Sequence, residues 1–331
     1  MSEKVLNLEV KPDITRPRYD QKTYLGRVKH FFTVANPLNI FVSEDTLDKC
    51  KKTVMDYKMG VIDPNMTVDE LWRAKELYDS AFHPDSGEKM FILGRMSAQV
   101  PCNMLITGGM LTFYRSFKGV VFFHWVNQTF NACVNYTNRS GPNAVTPERL
   151  LVSYCCATGG ALAVALKLNS MVKNAHGLAG RLVPFVAIAL ANTINIPMMR
   201  SLEFEKGIEL RAERSGSVLA TSQNVAAMAS AQVVVSRLAM ALPYMVITPI
   251  IMNSISKTQF YKTKPWIAAP LQTVLCGIQL TFSTPACCAL FPQQSELTIT
   301  SKSPFYVEES VRKRLCSVNN EPVKVWYNKG L

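Results

Sequence analysis

Residues 182–199, LVPFVAIALANTINIPMM, lie between Arg181 and Arg200 and carry no charge. A helix needs about 20 mainly apolar residues to cross a bilayer, and this run fits, with polar Asn192, Thr193 and Asn195 near its end. Pro197 lacks an N–H and leaves the Thr193 carbonyl without its helical partner, which predicts a break there. Breaks at membrane depth are tolerated where the freed groups line a cavity. Working outward, charge-free runs recur at 96–114, 119–138, 150–166, 215–236, 238–256 and 265–295. Five spans are expected, near 100–120, 150–166, 182–199, 238–256 and 267–290. The Ser-, Gln- and Asn-rich run 215–236 is placed outside the bilayer or at its surface, and 119–138 is apolar only in its first half. The expected fold is all-α: a multi-pass helical membrane protein with about five transmembrane helices. A soluble helical N-terminal region (1–95) precedes the membrane domain (96–295), and a tail (296–331) follows it.

Composition points the same way. Of 331 residues, 48% are apolar and only 18% charged, below the roughly 25% charged of soluble domains. The net charge of +12 invites a nucleic-acid reading. Its distribution says otherwise. Residues 1–99 hold fifteen basic and fifteen acidic side chains, so the whole excess lies beyond them, and no aspartate follows Asp85. Basic loops between apolar spans explain that pattern, so a lipid bilayer is the expected partner and nucleic acid is not. Loops 167–181 and 257–264 are basic and free of acids. With five spans, the positive-inside rule puts the N-terminus on their side and the tail across the membrane.

Nine cysteines fall at no zinc-type spacing, and histidines 30, 83, 124 and 176 are dispersed. The cysteines are expected to pack as small apolar side chains, and no metal or cofactor is expected. No hydrolytic triad, P-loop or dinucleotide fingerprint is visible, so an enzyme is not expected either. Acids and bases alternate through Asp20, which argues against a secretory signal or a cleaved transit peptide.

In the leading region, residues 1–30 read as an extended arm. Ser43 caps an expected helix to Gly60, and Thr67-Val68-Asp69-Glu70 reads as a capping box. His83-Pro84-Asp85 follows that second helix. A J-domain also sets His-Pro-Asp after a helix, but a strongly basic one; here Glu70, Glu76 and Asp79 oppose Arg73 and Lys75. A structural turn over His83, Pro84, Asp85 and Gly87 is therefore expected. Farther on, Gln128, Asn131, Asn135 and Asn138 are spaced 3, 4 and 3, which puts an amide stripe on one helix face. Such a stripe either faces a watery cavity or holds helices together.

Several of these stretches carry a family resemblance. Gly26-Arg27-Val28-Lys29-His30-Phe31-Phe32, Leu71-Trp72-Arg73-Ala74-Lys75, HPDSGE at 83–88 and GRMSAQVP at 94–101 resemble sideroflexin signatures. So do NQTFNACVNYTNRSG at 127–141, NIPMMR at 195–200, CCALFP at 287–292 and YNKGL at 327–331. The chain is identified as a member of that family, in the branch of sideroflexins 1 and 3; Ser86 departs from the family's usual threonine but keeps a hydroxyl. The resemblance implies a multi-pass carrier of the mitochondrial inner membrane that moves serine into the matrix for one-carbon metabolism. Alanine and cysteine would be further substrates, with the N-terminus in the matrix and the C-terminus in the intermembrane space. The alternative is a membrane-embedded scaffold or assembly factor that docks partners through its N-terminal arm.

For a serine carrier, the ammonium would meet the Thr193 carbonyl with Asn192 and Asn195 beside the Pro197 break. The carboxylate would meet Gln128, Asn131 and Asn135. Arg200 joins them or marks the membrane boundary.

Overall fold

The computed structural model describes residues 3–84, 86–138, 146–171, 178–212, 216–300, 307–318 and 322–329. The leading region folds around α1 (Tyr24–Val34), α2 (Glu44–Lys58) and α3 (Val68–Ala81). Both expected caps form: Ser43 Oγ accepts from Thr46 N at 3.3 Å. Thr67 and Glu70 bond reciprocally, at 3.3 and 2.9 Å. Leu47, Val54, Leu71, Leu77 and Tyr78 make the core. The arm is not wholly extended. Val5 and Ile14 are buried in that core, and α1 starts inside the arm on a Thr23 cap.

His83 and Glu88 close a turn, with His83 N donating to Glu88 O at 2.8 Å and Gly87 at a φ of +65°. Asp85 lies outside the described residues.

The apolar part begins with α4 (Gln99–Phe113), α5 (Phe117–Thr137), α6 (Pro147–Met171) and α7 (Leu178–Met199). The expected span at 100–120 is thereby corrected. Ser116 Oγ accepts from Gly119 N at 3.3 Å and starts a new helix. The 15 residues of α4 reach only about 22 Å at 1.5 Å per residue. The expected break at Pro197 is corrected as well: α7 runs unbroken through Pro184 and Pro197. Pro197 still leaves the Thr193 carbonyl without its helical N–H, but two residues from the end of α7 this opens no break.

Beyond α7 come α8 (Ser201–Lys206), β1 (Ile208–Ala212), β2 (Val218–Ser222), α9 (Gln223–Leu242), α10 (Thr248–Ile255) and α11 (Gln259–Thr263). A π-helical turn, Pro243–Ile247, joins α9 to α10. The run 215–236, expected at or outside the membrane surface, divides. Part is strand β2, and the rest opens a 33-residue helical stretch, Gln223–Ile255, that covers the expected span 238–256 except its last residue. The chain ends with α12 (Ala268–Cys288), β3 (Gln294–Ile299), α13 (Glu309–Val318) and β4 (Val323–Asn328).

The all-α expectation is thus incomplete. The protein is mostly helical but holds an antiparallel four-stranded sheet ordered β2-β1-β4-β3. Val323, Val325 and Tyr327 alternate inward along β4 and pack with Leu210 and Ile299 against Ala226 and Ala229 of α9.

Among the described residues, three helical stretches are long and apolar enough to cross a membrane. They are Pro147–Leu168, Leu182–Met199 and Gln223–Ile255, with mean hydropathies of 1.6, 1.7 and 1.7. The first two enclose or match the expected spans 150–166 and 182–199, and the expected count of five goes beyond these three. α12 is 21 residues long. It turns Val274, Ile278 and Phe282, four residues apart, outward and exposed.

Small residues bring α4 and α12 together. A Cβ on Gly108 would collide with Thr273, and one on Gly277 with Met104.

Candidate functional site

A cavity of about 360 Å³ opens where α5, α7, α9 and α12 converge beneath residues of the leading region and of β4. α5 supplies Asn127, Asn131 and Asn135, with Asn138 just past its end; α7 supplies Asn192. Gln99, Asn103, Gln293 and Asn328 bring the carboxamides to nine. Each carboxamide offers both a donor and an acceptor. A smaller cavity of about 90 Å³ adjoins it and shares Asn131, Asn135, Asn192, Arg200 and Arg237 while adding Asn195.

The proposed substrate residues separate cleanly. Asn131, Asn135, Asn192, Asn195 and Arg200 come together on these walls. Gln128 does not: it is buried on α5 away from both cavities, because the facing residue is Asn127, one position and about 100° round the helix. Thr193 is exposed on the opposite side of α7, its hydroxyl donating to Ala189 O at 2.9 Å. Pro197 lines neither cavity. Of the turn motif, Pro84 reaches the larger cavity while His83 and Gly87 do not.

Some amides are already engaged. Asn138 Nδ2 donates to Gly94 O at 2.8 Å, tying the end of α5 to the leading region. Asn135 Nδ2 lies 2.9 Å from Met199 Sδ, a weak acceptor. Asn103 Nδ2 donates to Gln99 O at 2.8 Å.

Apart from Arg200, the charged wall was missed from sequence. Arg200 pairs with Glu203, its Nε 2.9 Å from Oε2, and also donates to the Lys329 carbonyl. Lys329 is held in turn by Gln293 O, at 3.0 Å from its own N, and by Phe291 O, at 3.0 Å from Nζ. Burial lowers the Lys329 amine to about 8; nearby Cys288 opposes that shift, and Arg27 and Arg200 add to it. Arg237, from α9, lines both cavities. Its signal was present: it is the one charge between Arg214 and Lys257, and a lone charge in an apolar stretch marks a functional interior. Tyr244, in the π-helical turn, lines the same wall, and such turns are frequent at functional sites.

The signature stretches meet here. Arg27 Nε donates to Ala289 O at 2.8 Å, which joins the 26–32 stretch to the 287–292 stretch. Arg200 joins 195–200 to 327–331 through Lys329. Asn138 joins 127–141 to 94–101 through Gly94. The sequence profile described as Sideroflexins matches residues 13–331. The chain belongs to the sideroflexin family. Sideroflexin-1.1 of Caenorhabditis elegans is 58% identical over 335 residues, covering 100% of each chain. Human Sideroflexin-1 is 50% identical over 319 residues, covering 96% of this chain and 97% of its own. Mouse Sideroflexin-3 is 50% identical over 325 residues, with coverages of 98% and 99%. No solved structure matches. In this sideroflexin, six of those stretches contribute residues to the larger cavity, and the 26–32 stretch braces it through Arg27.

Proposed function

We propose that this sideroflexin is a carrier, not an enzyme, that moves small neutral amino acids, serine foremost, across the mitochondrial inner membrane into the matrix. There serine would feed one-carbon metabolism, and alanine and cysteine would be further substrates. The observation that carries this reading is the wall chemistry. One cavity joins nine carboxamides to three cations and one carboxylate, Arg200, Arg237, Lys329 and Glu203. A zwitterion with a hydroxyl needs donors at one end and acceptors at the other, and carboxamides supply both. The volume sits at the small end of the roughly 300–1,000 Å³ of small-molecule sites.

Radiolabelled serine should enter liposomes carrying the purified protein, with alanine and cysteine competing and glutamate and lysine competing poorly. A protein that only scaffolds partners would give no serine flux above empty liposomes. The scaffold reading draws on exposed Leu38 and Phe41 in the leading region.

With five crossings, the basic, acid-free segment holding Lys257, Lys262 and Lys264 shares a face with the N-terminus, and the positive-inside rule then supports a matrix-side N-terminus and a C-terminus in the intermembrane space. Three crossings would also leave the ends on opposite faces, but would put that segment on the C-terminal face and reverse the assignment. In mitoplasts treated with protease, a C-terminal tag should be cut and an N-terminal tag protected. Equal treatment of both tags would require an even number of crossings.

A further inference from the structure

We propose that Arg237 is the carboxylate anchor of this cavity, and that a carboxylate is the feature by which the protein recognises its ligand. The proposal rests on reading the cavity as a substrate site. Arg237 projects from the middle of a 33-residue apolar helical stretch, Gln223–Ile255, onto the walls of both cavities. An unpaired charge at such a position is costly. Among the described residues, no carboxylate comes within ion-pair distance of Arg237 and its guanidinium carries no hydrogen bond. The one carboxylate on the cavity wall, Glu203, is engaged by Arg200. Arg200 is further committed to the Lys329 carbonyl, and the Lys329 amine to the Phe291 carbonyl.

Of the three cations, Arg237 alone thus has none of its donors engaged; the Lys329 ammonium spends one of three. A guanidinium presents a planar fork that fits a carboxylate through two parallel hydrogen bonds. Asn131, Asn135 and Asn192 share both cavities with it. Their carboxamide oxygens can accept from the ammonium at the ligand's other end. A ligand carboxylate therefore supplies the counter-charge that the protein does not.

The test compares acids with their amides on full-length protein in detergent, reading ligand-induced thermal stabilisation over a concentration series. The probes are serine and serinamide, alanine and alaninamide, and glycine and glycinamide. Each amide keeps the amine and loses the carboxylate. In the unmodified protein, half-maximal stabilisation should come at a concentration at least about tenfold lower for an acid than for its amide, the size of one charge-assisted contact. Arg237→Gln should erase that preference, Arg237→Lys should keep it at weaker affinity, and Arg115→Gln, at an exposed cation between α4 and α5, should leave it intact. Without ligand, Arg237→Gln should melt no lower than the unmodified protein, since it removes an unpaired charge. A residue serving only to brace the helices would instead lower the melting point. An acid preference that survives Arg237→Gln, or no acid preference in the unmodified protein, overturns the proposal. Should serine flux fail in liposomes while the acid preference and its loss in Arg237→Gln hold, the serine reading falls and the carboxylate anchor stands.

Discussion

Arg27→Met is expected to lower the thermal midpoint of the detergent-solubilised protein by about 10 °C. Arg27 is buried, and its guanidinium donates to three main-chain carbonyls: Ala289 at 2.8 Å, Gln21 at 2.9 Å and Lys22 at 3.0 Å. Ala289 immediately follows α12, so one of these bonds satisfies a carbonyl that the helix end leaves free. The other two hold the chain that leads into α1. Hydrogen bonds from a charged donor contribute about 1.5–3 kcal/mol each, and stranding buried acceptors adds a desolvation cost. Methionine fills similar space but offers no donor. Allowing for non-additivity, the loss is about 3–5 kcal/mol, and each kcal/mol corresponds to roughly 2–4 °C in a chain of this size class. The contact between the Phe32 and Phe282 rings, 6.0 Å apart, should loosen with it, because both hold α1 against α12. Arg27→Lys keeps the charge but loses the fork, so it should fall between the two. Intrinsic tryptophan fluorescence during a thermal ramp reads the effect. A shift below about 2 °C for Arg27→Met would mean that water takes over these carbonyls and that the clamp stabilises nothing.

The parts of this fold that could be read from sequence are those where charge and helix end coincide. Runs 150–166 and 182–199 stop at Lys167 and Arg200, and the apolar helical stretches stop within a residue or two of them. At Arg115 charge and helix end coincide as well: α4 stops at Phe113 and Ser116 caps α5. The expected span 100–120 ran across both. Strands β1 and β4 show the period-two alternation of half-buried strands, as in Val323, Val325 and Tyr327. They pair with each other across more than a hundred residues, with Arg211 opposite Trp326, so nothing local announces that one pairing, whereas β1–β2 and β3–β4 join near neighbours.

The cavity was half legible for a similar reason. An amide stripe fixes a helix face only to within a turn, which is why Gln128 was chosen where Asn127 points inward. Arg237 was treated as a boundary between two apolar runs, although the helix continues through it. Glu203 and Lys329 were out of reach: the first belongs to a mixed-charge segment, and the second arrives from the far end of the chain.

Asn195→Leu is expected to weaken the apparent affinity for serine by about ten- to a hundredfold. Asn195 is only 9% exposed, and it opens on the smaller cavity together with Asn131, Asn192 and Arg237. Leucine approximates its size and removes both hydrogen-bonding functions. Losing one or two good hydrogen bonds to a bound zwitterion costs about 1–3 kcal/mol, which converts to that range. Asn135→Leu should fall toward the lower end. One of its amide hydrogens already faces Met199 Sδ at 2.9 Å, a partner too weak to cost much when lost. Two controls separate binding from packing. Gln128→Leu alters a buried amide that touches neither cavity, so it should change the yield of folded protein and leave affinity alone. Thr193→Val removes an exposed hydroxyl that bonds only its own helix, at Ala189, and should change neither. If the asparagines merely join helices, Asn195→Leu and Asn135→Leu will behave like Gln128→Leu: less folded protein, with normal affinity in what remains. Serine uptake into proteoliposomes, normalised to folded protein, distinguishes the two patterns. Normal affinity in both asparagine variants would move the substrate away from these two side chains, toward the Tyr244 side of the larger cavity.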